Sequence, residues 1–453
     1  MNGFRYALGL HRLVTGLLVA TCLQAAGQVA SPITLDEVIA SAKLHHPQVA
    51  TAQAAALRAD ASLRSAHADQ LPTLTASEDV LYSNDPVFAF GSKLRQARFG
   101  SSDLDVNTLD HPAPLSNFSA SLTAQWTAFD AGTARHRLAG ASTAVRAAEL
   151  RTQYSEEQVA DQVTTLYYRV LMAEDQIAVV DSAEKRAREL AADLHDRVKA
   201  GLSLESDGAR AQLALQEAQN EVATAHEHVA LARTELFETV GMPDSDRPLA
   251  RPGASELPVA LASTAIATVT RPDLQALALD QEAAQQQLAS IRASVWPQVT
   301  LFGHVENDAQ YLAVNGNGNW TIGAKIQISV FDGGARAARE HAALADMHQA
   351  AAAERSTRME AETRVAALRM QLADLHRRLL TAEDAIHVQQ ETLETAHDRY
   401  VSGLATMTEV LSGEDALTAA AFQKVRLSYQ LSITEAELSF TLGHANNSKA
   451  GRP

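Results

Sequence analysis

A chain of 453 residues has room for two or three ordinary domains, yet only 5% of it is aromatic, which is low for a large compact core. Its single cysteine excludes an intrachain disulfide framework and a cysteine-rich metal site. A formal net charge of −16 argues against a nucleic-acid partner, which needs a basic face.

Alanine is abundant, with Leu, Glu, Arg and Gln, the composition of long helices. At the N-terminus, Arg5 and Arg12 precede an apolar run from Leu13 to Leu23 and then Ala25-Ala26-Gly27. This pattern predicts a signal peptide over residues 1–27. Val19-Ala20-Thr21-Cys22 loosely resembles a lipobox, so lipidation of Cys22 is the alternative to its removal with the signal. No other stretch approaches ~20 apolar residues, which leaves no candidate transmembrane helix but does not exclude a β-barrel.

From Ile33 to about Gln70 the pattern is helical, with a break at His46-Pro47 and a stop at Pro72. A strand follows, from Thr73 to about Tyr82. Residues 83–116 hold Pro86, Gly91, Gly100, Pro112 and Pro114 and read as a long loop. A second strand spans Asn117 to Phe129. It runs straight into a helix from about Thr133 to Ala200, stopped by Gly201; another helix, from about Ser206 to Val240, is stopped by Gly241.

The second half repeats this order. The proline pairs Pro47/Pro72 and Pro272/Pro297 are both 25 residues apart. Asp130 to Gly201 and Asp332 to Gly403 both span 71 residues, and Gly201 to Gly241 and Gly403 to Gly443 both span 40. Three matched intervals indicate an internal duplication. The expected organisation is a first repeat over 28–241, a linker over 242–268, a second repeat over 269–443 and a polar tail over 444–453. Each repeat contains a strand-to-helix junction, Phe129-Asp130 and Phe331-Asp332. There the aspartate suits a helix N-cap and the following glycines permit a sharp turn.

At 1.5 Å per residue, each long helix would reach ~100 Å, a length that implies a coiled coil or a helical repeat. A soluble coiled-coil scaffold is therefore one reading. The strands favour another. In Trp320 to Phe331, Trp320, Ile322, Ala324, Ile326, Ile328 and Val330 share one face, against Thr321, Gly323, Lys325, Gln327 and Ser329. In Asn117 to Phe129, apolar Phe118 to Ala128 alternate with Ser119 to Thr127. Strands of this length suit a tilted crossing of a bilayer, with Trp126, Trp296 and Trp320 at the interfacial girdles. Four strands cannot close a barrel and open edges cannot face lipid, so several chains would have to share one barrel, and three would supply twelve strands.

With its paired helix–strand–strand–long helix–helix halves, its two Phe-Asp junctions, and Arg197-Val198-Lys199-Ala200-Gly201-Leu202 beside Arg399-Tyr400-Val401-Ser402-Gly403-Leu404, the chain resembles the TolC-type outer membrane efflux proteins. The resemblance spans about residues 33–443. It implies a mostly α, mixed α and β homotrimer: a twelve-stranded transmembrane barrel continued by a coiled-coil tunnel through the periplasm of a Gram-negative bacterium. It also implies a periplasmic adaptor and an inner-membrane pump as partners, outer-membrane lipid around the barrel, and a passive exit duct rather than an enzyme. Gly201, Leu202, Gly403 and Leu404 match the adaptor-contact turns of the family. Glu409 falls where the family has an acidic ring at the periplasmic entrance, and Asp207 is its repeat equivalent. Tyr400 fits a tip aromatic that can hold the closed state. Two positions depart from the pattern: Ser412 stands where a second acid is common, and Ala405 where an arginine can form a locking ion pair. Glu409 also completes a capping box, Thr406-Met407-Thr408-Glu409, and the two roles are compatible.

Sixteen histidines raise the question of metal. His226 and His228 point to different helix faces, His45-His46 precedes a helix break, and no carboxylate–histidine pattern recurs in both halves. No metal, cofactor or catalytic constellation is expected. Asn315-Gly316-Asn317-Gly318-Asn319 reads as a hairpin turn rather than a phosphate loop. Phe88, Phe90, Arg95, Arg98 and Phe99 in the 83–116 segment would lie in an extracellular loop able to plug or shield a mouth.

Overall fold

The chain builds the same column of helices twice and hangs one four-stranded sheet from it. A computed structural model describes residues 31–244, 247–251, 269–312 and 316–443. The expected signal peptide with Cys22, most of the expected linker over 242–268, Asn315 and the expected tail over 444–453 lie outside the described residues.

Helix α1 (Leu35–His45) is capped by Thr34, whose hydroxyl accepts from the Glu37 amide at 3.2 Å. The chain breaks at His46, and α2 (Pro47–Ala68) restarts with proline in its first turn, where no amide is needed. After β1 (Thr73–Ser83) and β2 (Leu115–Phe129) come the long α5 (Thr133–Lys199) and α6 (Glu205–Val240). The second half gives α7 (Pro272–Ala293), β3 (Gln298–Ala309), β4 (Asn317–Gln327), α8 (Ala335–Val401) and α9 (Met407–Leu442). Helices α5 and α8 both have 67 residues, and α6 and α9 both have 36, so the glycine intervals of the sequence are intervals of structure.

The segment between β1 and β2 is not the irregular loop its prolines and glycines predict. It folds as α3 (Pro86–Arg95), a single 3₁₀ turn (Ser101–Leu104) and α4 (Val106–Asp110). Pro86 sits in the first turn of α3, and the Asp85 carboxylate accepts from the Phe88 amide at 2.8 Å. Gly91 has open space around it and is carried inside the helix.

The sheet is antiparallel in the order β1-β2-β3-β4, so β1 and β4 are its two edges. Its burial is inverted relative to a soluble sheet. Trp320, Ile322 and Ile326 are 74%, 77% and 73% exposed on one face, while Asn117 and Asp308 are 3% and 0% exposed on the other. The outward row Trp320–Val305–Leu122–Ala76 is followed distally by the row Gly318–Asn307–Ala120–Glu78, so Trp320 stands where the outward face first turns polar. Strand β4 ends at Gln327, short of the predicted Phe331. Gln327 already pairs with Gln298, the first residue of β3, so Ile328 to Phe331 have no partner on that side.

Packing within the helices is by small residues and leucines. Val159, Val163, Tyr167 and Leu171 of α5 meet Leu236, Phe237 and Val240 of α6 and Val38 and Ala42 of α1 in the largest core cluster. Smaller clusters continue along the column to Leu194, Leu393, Met407 and Val410 at the end far from the sheet. None of the described helices is long and apolar enough to cross a membrane.

Candidate functional site

The two long helices end in the same motif. Gly201 and Gly403 adopt φ of 75° and 73°, a conformation that side chains with a Cβ resist. The amides of Gly201 and Leu202 donate to the carbonyls of Val198 and Arg197 at 3.0 and 2.8 Å, and those of Gly403 and Leu404 to Tyr400 and Arg399 at 2.9 and 2.7 Å. This is a Schellman closure, which satisfies the last carbonyls of the helix. The residue after each glycine normally folds back on its own helix. Here Leu202 and Leu404 are 72% and 71% exposed, with Leu204 beside them, so each tip presents leucine to the outside.

Contacts between the halves bind the two tips together. The Tyr400 hydroxyl donates to Asp207 Oδ2 at 3.1 Å, across 193 residues of sequence. Burial pushes the Tyr400 phenol above its ordinary range; a hydrogen bond with Ser203 opposes this, and the adjoining Asp207 carboxylate adds to it. The phenol therefore stays protonated and remains the donor. Arg210 Nη1 donates to Thr408 Oγ1 at 2.6 Å. Further from the tip, Arg186 of α5 donates to Glu414 Oε2 at 2.6 Å and to Thr418 Oγ1 at 3.1 Å, both on α9.

Glu409 lies on the other side of the second tip. Its carboxylate accepts from the Thr406 amide at 3.2 Å, and its own amide donates to the Thr406 hydroxyl at 3.4 Å. The capping box thus forms and caps α9. The side chain remains exposed, on a groove of about 770 Å³ between α8 and α9 that also holds Ser412, Arg399 and Thr408. Gly413 lets α9 approach Leu393 of α8, since an added Cβ would come within 3.1 Å of Leu393 Cδ1. The sequence equivalents Asp207 and Glu409 therefore have different surroundings: the first is a hydrogen-bond partner of the opposite tip, the second an exposed cap.

A profile of the outer membrane efflux protein family matches residues 38–242 and 265–444. The chain belongs to the outer membrane efflux protein family. No curated protein matches it significantly in sequence. Among solved structures, CusC superposes with a TM-score of 0.79 at 19% identity, covering 90% of this chain and 92% of that one. VceC from Vibrio cholerae gives 0.73 at 22% identity, covering 90% and 96%. The Campylobacter jejuni CmeC outer membrane channel gives 0.75 at 15% identity, covering 91% and 86%. The fold is that of the outer-membrane efflux channels, with strands in the outer membrane and helices in the periplasm.

In this efflux protein the strand–helix junctions bring Phe129 and Phe331 to the surface, 54% and 88% exposed, at the periplasmic end of the sheet. Asp130 and Asp332 cap the long helices, though from a different position than the sequence implies. The N-cap residues are Gly132 and Gly334; each aspartate stands two residues earlier and reaches forward. Asp130 accepts from the amides of Gly132 and Ala134 at 3.0 and 2.6 Å, and Asp332 from those of Gly334 and Arg336 at 3.1 and 2.8 Å. Trp126 and Trp296 lie at this same end, the indole of Trp126 donating to Gln70 O at 2.9 Å, and Trp320 lies at the other. The ties from Arg210 and Arg186 to the opposite half were not foreseen. Pairing between duplicated halves leaves no trace in residue spacing.

Proposed function

We propose that three copies of this chain join edge to edge into one twelve-stranded barrel and form the exit duct of a tripartite efflux or type I secretion system. The observation that carries this reading is the inverted sheet: apolar side chains outward, polar side chains inward, and two unpaired edges that only another copy can satisfy in lipid. The long helices then wall a tunnel through the periplasm. The exposed leucines of the two tips receive a periplasmic adaptor, which links them to an inner-membrane pump. Small molecules, metal ions and polypeptides all suit such a passive duct.

The entrance gate in this reading has two parts. Tyr400 and Asp207 hold the second hairpin against the first and keep the tips together. Glu409, repeated three times around the axis, favours cations over anions. Single-channel recording on reconstituted trimers tests the second part: Glu409→Ala is expected to lower cation preference at neutral pH, and unchanged ion selectivity would remove Glu409 from the gate.

A further inference from the structure

The segment between β1 and β2 rests on the face of the sheet that a barrel turns toward its lumen. Gln96, at the end of α3, is 7% exposed, and its Nε2 lies 2.7 Å from Asn117 Oδ1, 3.0 Å from Ser116 O and 3.3 Å from Ala309 O. Asn117 in turn donates to Asp308 Oδ1 at 2.7 Å. Arg95 reaches Glu306 at 3.5 Å, two residues from Asp308 along β3, and Glu306 also accepts from Ser119 at 2.7 Å. All these partners stand at the end of the sheet away from the helices, which is the extracellular end. Internally the segment is braced by a Lys93–Asp103 ion pair of 2.7 Å and by Phe90 against Phe99, with ring centroids 5.0 Å apart.

Helix α3 is inside out. Ala89, Ser92 and Gln96, small or polar, are its buried residues, and Gln96 binds the sheet. Val87, Phe90 and Leu94, spaced three and four residues apart and so on one face, are 81%, 39% and 48% exposed. Gln96, on the opposite face of the helix, is bonded to the wall, so the stripe, with one edge of Phe90 left free by Phe99, lies on the side away from it. The available space says what covers it. Twelve strands ~4.8 Å apart at a tilt of ~40° enclose a backbone diameter of roughly 24 Å. Lumenal side chains narrow the bore further, so three segments latched to the wall at equivalent positions converge on the axis.

We propose that the α3 helices of three protomers meet on the channel axis through Val87, Phe90 and Leu94 and form an apolar plug at the extracellular mouth, latched to the wall by Arg95–Glu306 and by Gln96 on the Asn117–Asp308 pair. The proposal rests on the trimeric barrel, since the occupant of each stripe is a second and third copy of the same segment. The channel then has two constrictions in series, one at the periplasmic tips and one at the outer mouth. Apolar constrictions of this kind close by excluding water.

Because the periplasmic gate would mask the mouth in a conductance measurement, the test is made from outside. Thr123→Cys places a thiol on the lumenal face of β2, below the plug. A bulky, membrane-impermeant maleimide is added to whole cells, with the unsubstituted chain as blank. Labelling is expected to be slow with the native segment and at least ~10-fold faster in Phe90→Asp/Leu94→Asp at equal trimer content, because charge on the stripe admits water and parts the helices. Equal labelling rates in the two backgrounds, with the trimer intact in the outer membrane, would overturn the plug and leave the barrel standing. Absence of a trimer from the Thr123→Cys chain with its native segment would overturn both. Should the double variant not assemble, benzoylphenylalanine in place of Phe90 gives the answer directly: irradiation is expected to join protomer to protomer, and an intact trimer without that adduct would overturn the proposal.

Discussion

Tyr400 and Asp207 form the contact on which the gate reading turns, and it is a contact of one hydroxyl with one carboxylate. Tyr400→Phe keeps the ring and removes the donor; Asp207→Ala removes the acceptor. Each is expected to raise the open probability of reconstituted channels. The double variant is expected to match the larger single effect, since residues that act as a pair are not additive. Additive effects in that cycle would mean that the two act independently. A second residue of interest is Ala131, which holds φ of 56° where the other repeat has Gly333 at 67°. A Cβ in the left-handed region costs ~1–2 kcal/mol, offset in part by the freedom a glycine restores to the unfolded chain. Ala131→Gly is expected to stabilise the first junction by ~0.5–1 kcal/mol, read as a higher midpoint in thermal unfolding. The tip glycines were legible from sequence because a left-handed cap at the end of a long helix demands glycine. The Tyr400–Asp207 contact was not, because nothing local encodes a bond across 193 residues.

Among the elements, the long helices pack through groups that titrate. Asp161 of α5 faces the second half, where Arg364 of α8 is paired with Glu437 of α9. Burial, and then Glu437, push its carboxyl from 3.8 up to about 6, with Arg364 acting against them. The folded state therefore binds this proton more tightly than the unfolded chain does. The resulting stabilisation is full below pH ~4 and is lost as pH rises through ~6. Asp161→Asn is expected to remove that loss, so the variant gains stability relative to the native chain at pH 7.5 but little at pH 4. A pH series of unfolding midpoints checks this, and parallel curves for the two proteins would contradict it. The element boundaries themselves were largely written in the sequence. Period 2 gives way to a helical period at both Phe-Asp junctions, and matched glycines set helices of 67 and 36 residues. Helix α3 escaped because Pro86 and Gly91 read as breakers, although a proline in the first turn and an uncrowded glycine are both tolerated. The end of β4 escaped because alternation continues to Val330 beyond the last residue of β3 able to pair with it.

For the whole molecule, the account depends on what the sheet faces. A soluble periplasmic scaffold and a membrane channel share the long helices, the glycine caps and the duplication. They differ in the sheet, where Ile322 and Ile326 stand outward and Asn117, Ser119 and Asp308 are covered. The edges β1 and β4 carry unpaired backbone groups that lipid cannot satisfy, and only closure with other copies removes them. The decisive measurement is the mass and location of the complex in a Gram-negative host, after separating inner and outer membranes and extracting with detergent. The account predicts a complex of three protomers in the outer-membrane fraction, released only by detergent. A species recovered from the periplasm without detergent, whatever its mass, would contradict it.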